Sequence, residues 1–269
     1  MILRRLGNKK AIAPKIIAQF PDHRIYIEPF FGAGGIFFYK PRAKYNLLND
    51  LDADVANLWD VYFNRKDELI EAVEVIPYHE KLFQDWRTKT EDEPIRKALR
   101  FLFLSNFGYM GQDGIMDFRD QSHKKELLKN CKKTLLDVTD VQFMNTDFRK
   151  CFKKWCFLPQ LSKRGLDGKR KTSLDVGLVF IYNDPPYLST TNNYSCGKDG
   201  WSKQDLTDLI ELNIKSGAKF AISEFDNEEV IELAKSYNLN IINIVERRTI
   251  KSRNTEILIT NYKLNNTLF

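Results

Sequence analysis

A short stretch, Asn183–Tyr187 (Asn-Asp-Pro-Pro-Tyr), places a carboxylate, two prolines and an aromatic ring directly after an apolar run. Each proline fixes φ and lacks an N–H group, so the loop is rigid and rich in hydrogen-bond acceptors. Because ligands of open parallel sheets bind beyond the carboxyl ends of the strands, we expect this loop at the rim of a site. Acceptors beside a flat ring suit a planar base with an exocyclic amino group. The alternative is a proline-rich turn whose aspartate caps a helix.

A second candidate site is the glycine-bearing segment Glu28–Gly35, which follows another apolar run. Glycine permits φ > 0 and close backbone approach, although Phe37 breaks the G-x-G-x-x-G spacing of dinucleotide folds. Asp50 follows about 20 residues later, where an acid can accept hydrogen bonds from ribose hydroxyls. The glycine segment, the acid and the Asp184 loop, in this order, are more specific together than any one of them.

Composition limits the classes of function. The chain has 269 residues, and 42 Lys and Arg against 36 Asp and Glu give a formal charge of +6, which permits a polyanionic partner without requiring one. The four cysteines form no C-x-x-C pair and only three histidines are present, so we expect neither a disulfide scaffold nor a metal site. No apolar run approaches the ~18 residues of a membrane span, and we expect a cytoplasmic protein with no membrane partner.

The order of apolar runs predicts a mostly parallel sheet with an antiparallel pair at its end. Predicted helices cover 52–64, 68–75, 80–87, 95–107 and 202–215 (with Ser202 as N-cap), and the glycine segment is expected to open a further helix. The predicted strands are 24–28, 45–50, 141–145, 177–183, 219–223 and the hairpin 239–245 with 256–262, whose tip 247–254 is basic.

Two stretches interrupt this alternation. Between about 67 and 137 the strand pattern is absent, which indicates an inserted helical subdomain. The segment 149–171 contains nine basic residues, and we interpret it as an irregular, positively charged loop outside the core, either solvated or in contact with phosphates.

The motifs together resemble the D12 class of DNA adenine-N6 methyltransferases, the Dam-like group, over most of the chain. The residues that carry this resemblance are Gly7–Lys9, Glu28–Gly35, Asn49–Asp50, Asp147–Phe148, Asp184–Tyr187, Arg247–Arg248 and Glu256–Tyr262. The resemblance implies an α/β fold with a Rossmann-like S-adenosylmethionine-dependent methyltransferase sheet. It further implies a catalytic domain over 1–64 and 138–269, and a mainly helical target-recognition subdomain over 65–137.

The resemblance also assigns roles to residues of this chain. S-adenosyl-L-methionine is the implied cofactor, S-adenosyl-L-homocysteine the product, and no metal is required. The implied catalytic residues are Asp184, Pro185, Pro186 and Tyr187, with Asp184 and the Pro185 carbonyl accepting the amine hydrogens of a flipped adenine and Tyr187 stacking on it. The implied cofactor-binding residues are Arg5 (where the family has an aromatic residue), Lys9, Glu28, Phe30, Gly32, Ala33, Gly34, Asp50, Asp147, Phe148 and Asp184.

Double-stranded DNA is the expected partner, and a cognate restriction endonuclease is left open as a second one. The candidate DNA-binding residues are Arg4, Asn106, Tyr109, Arg247, Arg248 and Lys251. Two other classes of function stay open: an RNA or cytosine-N4 methyltransferase, and a catalytically silent DNA-binding protein. Aspartate rather than serine before the two prolines favours adenine, and the presence of Lys9, Asp50, Asp184 and Tyr187 argues against a silent protein.

Overall fold

The computed structural model describes residues 2–4, 8–109, 114–117, 122–133, 141–156, 178–188, 200–248 and 253–263. The chain forms two compact units, each assembled from separate stretches of sequence. The first contains Met1–Ala11, Gly32–Phe38 and Asp52–Thr139, and the second contains Ile12–Phe31, Tyr39–Leu51 and Asp140–Phe269. The division into a catalytic domain and a target-recognition subdomain over 65–137 remains a prediction.

The second unit contains a seven-stranded sheet in the order β3-β2-β1-β4-β5-β7-β6. Its strands are β1 (Ile25–Glu28), β2 (Tyr45–Asp50), β3 (Val141–Asn145), β4 (Val179–Asn183), β5 (Lys219–Phe225), β6 (Asn240–Arg248) and β7 (Arg253–Thr260). The first five strands run parallel, and β7 lies antiparallel between β5 and β6. This confirms the predicted α/β fold, a Rossmann-like, mostly parallel sheet with an antiparallel C-terminal hairpin.

The helices, in chain order, are α1 (Ala13–Ile17), α2 (Ala53–Asn64), α3 (Lys66–Val75), α4 (Glu80–Thr88), α5 (Pro94–Phe107), α6 (Ser122–Lys133), α7 (Phe148–Cys151), α8 (Lys203–Ser216) and α9 (Glu228–Ser236). Ser202 caps α8 as predicted, in a capping box with Asp205. Helix α8 buries Leu206, Leu209 and Ile210 in the core of the second unit. Helix α9 was not predicted from the sequence.

Within Asp52–Lys133 the described regular elements of the first unit are helices, as the missing strand pattern predicts, apart from an isolated antiparallel bridge between Gly108 and Met116. Asp52 caps α2 by accepting hydrogen bonds from the N–H groups of Asp54 and Val55. Trp59 of α2 is fully buried, and Phe103 of α5 packs edge-on against Trp86 of α4. Trp59 is therefore a packing residue of the core of the first unit.

Two sequence-based predictions are wrong. The glycine segment opens no helix: residues 35–39 form turns, with a bond from Phe38 N–H to Gly34 O at 3.2 Å, because Pro41 disfavours helical backbone at Lys40 and leaves too few residues for a stable helix. The basic segment is not wholly irregular. Its residues 149–156 continue α7 into a π-helical turn, Phe152–Cys156, that buries Cys151, Phe152 and Trp155 in the core.

Over the described ranges, the structure contains no helix both long and apolar enough to cross a bilayer.

Candidate active site

Three predicted acidic residues of the second unit lie at the carboxyl ends of neighbouring parallel strands. Glu28 ends β1, Asp50 ends β2 and Asp184 follows β4, and β1 pairs with both other strands. Burial raises the pKa of Glu28 well above its usual range; the hydrogen bond from Tyr26 (2.8 Å) opposes this, and the negative charges of Asp184 and Asp50 add to it. The strand order reverses here, which is where open α/β sheets bind ligands.

Asn49, which lies near the end of β2 and is 1 % exposed, binds the two segments that follow β1 and β3. Its Nδ2 donates to the carbonyl of Pro29 at 2.9 Å and to that of Thr146 at 3.0 Å, and its Oδ1 accepts the N–H of Thr146 at 3.2 Å. The Asn49 carbonyl also accepts the N–H of Phe31 at 2.8 Å. The segments after β1 and β3 are therefore fixed to the end of β2.

The loop after β4 is held through both its backbone and a side chain. Tyr187 donates its hydroxyl to Glu256 on β7, and the same oxygen lies 3.3 Å from Asp184 Oδ1. The N–H of Leu188 donates to Glu224 on β5 at 3.1 Å. Asp184 remains partly exposed, so a rigid loop presents this carboxylate at the edge of the sheet.

The Tyr187 ring is only 7 % exposed, and it meets the ring of Phe225 nearly perpendicularly, with centroids 4.7 Å apart. Burial raises the pKa of Tyr187 well above 10, and the neighbouring charges of Asp184 and Glu256 raise it further. The hydroxyl is therefore a permanent hydrogen-bond donor at neutral pH. Stacking of this ring on a base stays a prediction.

Three aromatic rings form a cluster beyond β1 and β3. Phe30 lies 5.5 Å from Phe148 and 5.6 Å from Trp201 between ring centroids, and Phe148 lies 5.6 Å from Trp201. Phe148 is buried, whereas Phe30 and Trp201 are partly exposed. The structure thus brings the predicted residues Phe30 and Phe148 together and adds Trp201 to them.

Asp147 caps α7 by accepting the N–H of Arg149 at 2.9 Å. The Arg149 guanidinium also pairs with Asp205 and Asp208 of α8 at 2.6 Å each, and it lies over the Phe148 ring at 4.4 Å. The sequence leaves both a solvated and a phosphate-contacting loop open for this segment; Arg149 instead lies in α7, and its charge is paired with acidic residues within the fold. Its role is to join α7 to α8.

In the first unit, Lys9 and the glycine turn are in close contact. A Cβ atom on Gly35 would come within 3.0 Å of both Asn8 Oδ1 and Lys9 N, so a larger residue there would require these neighbours to shift. Gly32 and Gly34 have φ of +50° and +69°, the left-handed region that glycine adopts at low cost. A Cβ on Gly32 would meet nothing within 4 Å, which leaves open space beside the backbone.

Comparison with known proteins decides the family. The model of the D12 class N6 adenine-specific DNA methyltransferases matches residues 6–250 of the chain. The protein belongs to this family. Its sheet is accordingly the Rossmann-like sheet of an S-adenosylmethionine-dependent methyltransferase fold.

Three relatives match this chain over most of its length. The modification methylase StsI of Streptococcus sanguinis is 25 % identical over 97 % of this chain, which spans only 42 % of that longer protein. A DNA adenine methylase of Vibrio cholerae is 26 % identical over 89 % of this chain and 86 % of its own. The retron Ec67 DNA adenine methylase of Escherichia coli is 24 % identical over 90 % of this chain and 82 % of its own.

The DNA-binding candidates of this D12-class methyltransferase are only partly described. In the first unit, Arg4 contacts His123 at 3.1 Å, Tyr109 is 45 % exposed, and Asn106 donates to the carbonyls of Ile2 and Leu102. Arg247 and Arg248 end β6. Their side chains, together with Arg5, Lys251 and residues 157–171 of the basic segment, lie outside the described part of the structure.

Four positions of this methyltransferase escaped the sequence-based list of site residues: Asn49, Trp201, Glu224 and Glu256. Glu224 and Glu256 each stand within an apolar β-strand, and a charge in such a run is the signal that could have found them. Asn49 belongs to one of the motifs that carry the family resemblance, but neither it nor Trp201 has a charge signal of this kind, because their partners come from distant segments. Over the described ranges, no three His, Cys, Asp or Glu side chains are grouped so that they could hold a metal ion.

Proposed function

We propose that this protein methylates the N6 atom of adenine in double-stranded DNA, with S-adenosyl-L-methionine as the methyl donor and S-adenosyl-L-homocysteine as the product. The observation that carries the proposal is the partly exposed Asp184 carboxylate, held by a rigid loop where the strand order reverses. A carboxylate followed by a proline carbonyl offers two acceptors to an exocyclic amine. Membership of the D12 family supports adenine over cytosine as the base.

The second unit carries groups that suit the cofactor. Asp50 ends β2 and is partly exposed, so its carboxylate can accept hydrogen bonds from the ribose hydroxyls. The partly exposed ring of Phe30, packed on Phe148, offers a flat apolar surface to an adenine ring. When bound, S-adenosyl-L-methionine supplies an electrophilic methyl group.

The chain's own residues then activate the amine. Adenine N6 is a poor nucleophile because its lone pair is delocalised into the ring. Asp184 and the Pro185 carbonyl accept its hydrogens and favour sp³ character, which frees the lone pair as the transition state forms. As the N–C bond forms and the donor's S–C bond breaks, the nitrogen becomes cationic, and Asp184 accepts the proton that it releases.

Access to N6 requires the adenine to leave the duplex, so we propose base flipping. The target-recognition role belongs to the helices of 65–137 and the phosphate contacts to Arg4, Arg247, Arg248 and Lys251. The similarity to a modification methylase supports a restriction-modification context, with a cognate endonuclease as partner. We therefore propose that the protein acts on DNA in the cytoplasm of a bacterial or phage-infected cell.

The test is methyl transfer from labelled S-adenosyl-L-methionine to plasmid DNA, with modified bases mapped by single-molecule sequencing. We expect N6-methyladenine within one sequence context. Asp184→Ala should abolish transfer and keep cofactor affinity within about tenfold, or ~1.4 kcal/mol, because the lost contacts are made to the target amine. Glu232→Ala, at an exposed position on α9, is the matched control and should be fully active. Label on cytosine or RNA alone, or turnover by Asp184→Ala, would contradict the proposal.

A further inference from the structure

Two buried glutamates lie behind the loop that carries Asp184. Glu224 on β5 and Glu256 on β7 are both 0 % exposed. In the antiparallel register Phe225 lies opposite Glu256 and Glu224 lies opposite Ile257, so the two glutamates occupy diagonal positions on paired strands. Burying a carboxyl group is costly unless it makes hydrogen bonds that repay the loss of water. Both carboxyl groups direct such bonds at residues 187 and 188 of the loop.

Glu256 holds the side chain of Tyr187. It accepts the phenolic hydrogen in a buried contact, while the phenolic oxygen lies 3.3 Å from Asp184 Oδ1. The edge-on packing of Tyr187 on Phe225, with centroids 4.7 Å apart, prevents the ring from tilting away. The position of the phenol beside Asp184 is therefore set from β7.

Glu224 holds the backbone of the same loop. One carboxyl oxygen accepts the N–H of Leu188 at 3.1 Å, and the other accepts the N–H of Phe225 at 3.0 Å. Pro185 and Pro186 have no N–H group, so the backbone at these two positions cannot donate a hydrogen bond that would hold the loop. The Leu188 N–H supplies a fixed point immediately beyond them.

We propose that Glu224 and Glu256 are positioning residues for methyl transfer, which clamp the Asp184–Leu188 loop through Leu188 N–H and Tyr187 O–H and so set the direction of the Asp184 carboxylate. This inference rests on the proposed function. Displacement of a reacting group by about 1 Å can cost 10²-fold in rate, so a clamp of this kind acts on kcat. A purely structural pair would instead lower stability and leave kcat per folded molecule unchanged.

The first experiment compares Glu256→Ala, Glu256→Gln and Tyr187→Phe in the full chain. We expect Glu256→Ala to lower kcat by about 10²-fold, with the dissociation constant of S-adenosyl-L-methionine changed less than about threefold. Glu256→Gln should recover most of the activity, because its amide oxygen still accepts the phenolic hydrogen. Glu232→Ala, at an exposed site on α9, is the matched control.

A double-mutant cycle joins Tyr187→Phe with Glu256→Ala. If the two groups act as one clamp, the combined loss in kcat should be close to that of either single variant. Fully additive losses, or an equal fall in kcat for Glu256→Ala and Glu256→Gln with unchanged folding, would overturn the role of Glu256.

The second experiment does not depend on activity. Amide hydrogen exchange at Leu188 should be at least about tenfold faster in Glu224→Ala than in the wild type, while Asp184→Ala keeps this amide protected. Unchanged exchange in Glu224→Ala would overturn the backbone clamp. If the wild type transfers no methyl group, the proposed function is wrong, and amide hydrogen exchange at Leu188 still tests whether Glu224 holds the loop. If Asp184→Ala alone is inactive and the glutamate variants keep full kcat, the clamp fails and the function stands.

Discussion

The side-chain amide of Asn49 pairs with the backbone of Thr146 in both directions, donating to its carbonyl at 3.0 Å and accepting its N–H at 3.2 Å. Asn49 lies on β2, whereas Thr146 follows β3 and directly precedes Asp147. The same amide donates to Pro29, which precedes Phe30. One buried side chain therefore sets the position of two segments to which we assign cofactor binding.

Asn49→Ala should lower the free energy of unfolding by about 1–3 kcal/mol, because it leaves buried backbone groups without a partner. It should also weaken S-adenosyl-L-methionine binding by more than about tenfold, or ~1.4 kcal/mol. The measurements are urea denaturation and calorimetry. Asn46→Ala is the matched control: Asn46 is equally buried in β2, and its amide donates to Ala43 at the other end of the strand. Equal cofactor affinity in the two variants would contradict the prediction.

Asp50→Ala should weaken cofactor binding by about 1–3 kcal/mol while leaving the fold intact, because a partly exposed carboxylate loses its hydrogen bonds to the ribose. Calorimetry with S-adenosyl-L-methionine measures the change. Asp60→Ala, exposed on α2, serves as control and should bind normally. Unchanged affinity in Asp50→Ala would mean that the ribose is held elsewhere.

Glu224 makes stability depend on pH. Burial raises the pKa of Glu224 from 4.5 to about 8, backbone hydrogen bonds oppose the rise, and the charges of Asp184 and Glu256 add to it. Between these values the folded protein holds a proton that the unfolded chain has lost. The stabilisation is therefore complete below pH 4.5 and is lost as pH rises towards 8.

The wild-type free energy of unfolding should fall by on the order of 3 kcal/mol from pH 5 to pH 8 through this group alone. Glu224→Gln should flatten the profile, because the amide mimics the neutral carboxyl at every pH. Urea denaturation across this range measures both curves. Burial also raises the pKa of Glu28, which is present in both proteins, so the contribution of Glu224 is read from the difference between the wild-type and Glu224→Gln curves. Parallel curves would contradict the assignment of this pH dependence to Glu224.

The basic segment should divide into two parts with different effects. Changing Lys169, Arg170 and Lys171 to Ala should lower the slope of log affinity against log salt by up to ~0.9 for each of about three phosphates, without changing the methylated sequence. Arg149→Ala should leave this slope unchanged and reduce stability, because its partners are Asp205 and Asp208. DNA binding from low to moderate salt tests both. An unaltered slope in the triple variant would contradict phosphate contact by these cations.

The sequence by itself determined most of the helices and strands, and the order in which the candidate site motifs follow one another along the chain. Apolar runs of the length of a buried strand predict β2 and β3 at their observed bounds, and Ser202 followed by Asp205 predicts the start of α8. The loop after β4 was identified because two prolines beside an aspartate have few purely structural uses. These are local signals: a few adjacent residues restrict the backbone whatever surrounds them.

Prediction from short stretches of sequence is wrong where basic residues and buried apolar residues occur in the same segment. In 148–155, apolar residues recur with helical spacing and predict a buried face, but the many lysines and arginines obscured this period. The prediction of a helix after the glycine segment is wrong for a different reason. The segment has the residues of a helix start, but Pro41 leaves too few residues for a helix to form.

Only the tertiary structure decided what surrounds Asp184. Glu224 and Glu256 are separated from it by 40 and 72 positions in the sequence, and the pairing of β5 with β4 and of β7 with β5 is what brings them to its loop. Asn49 likewise gains its partners because β2 lies beside both β1 and β3. Hydrogen bonds of this kind follow from strand order and register, which depend on the packing of the whole sheet rather than on any short stretch of residues.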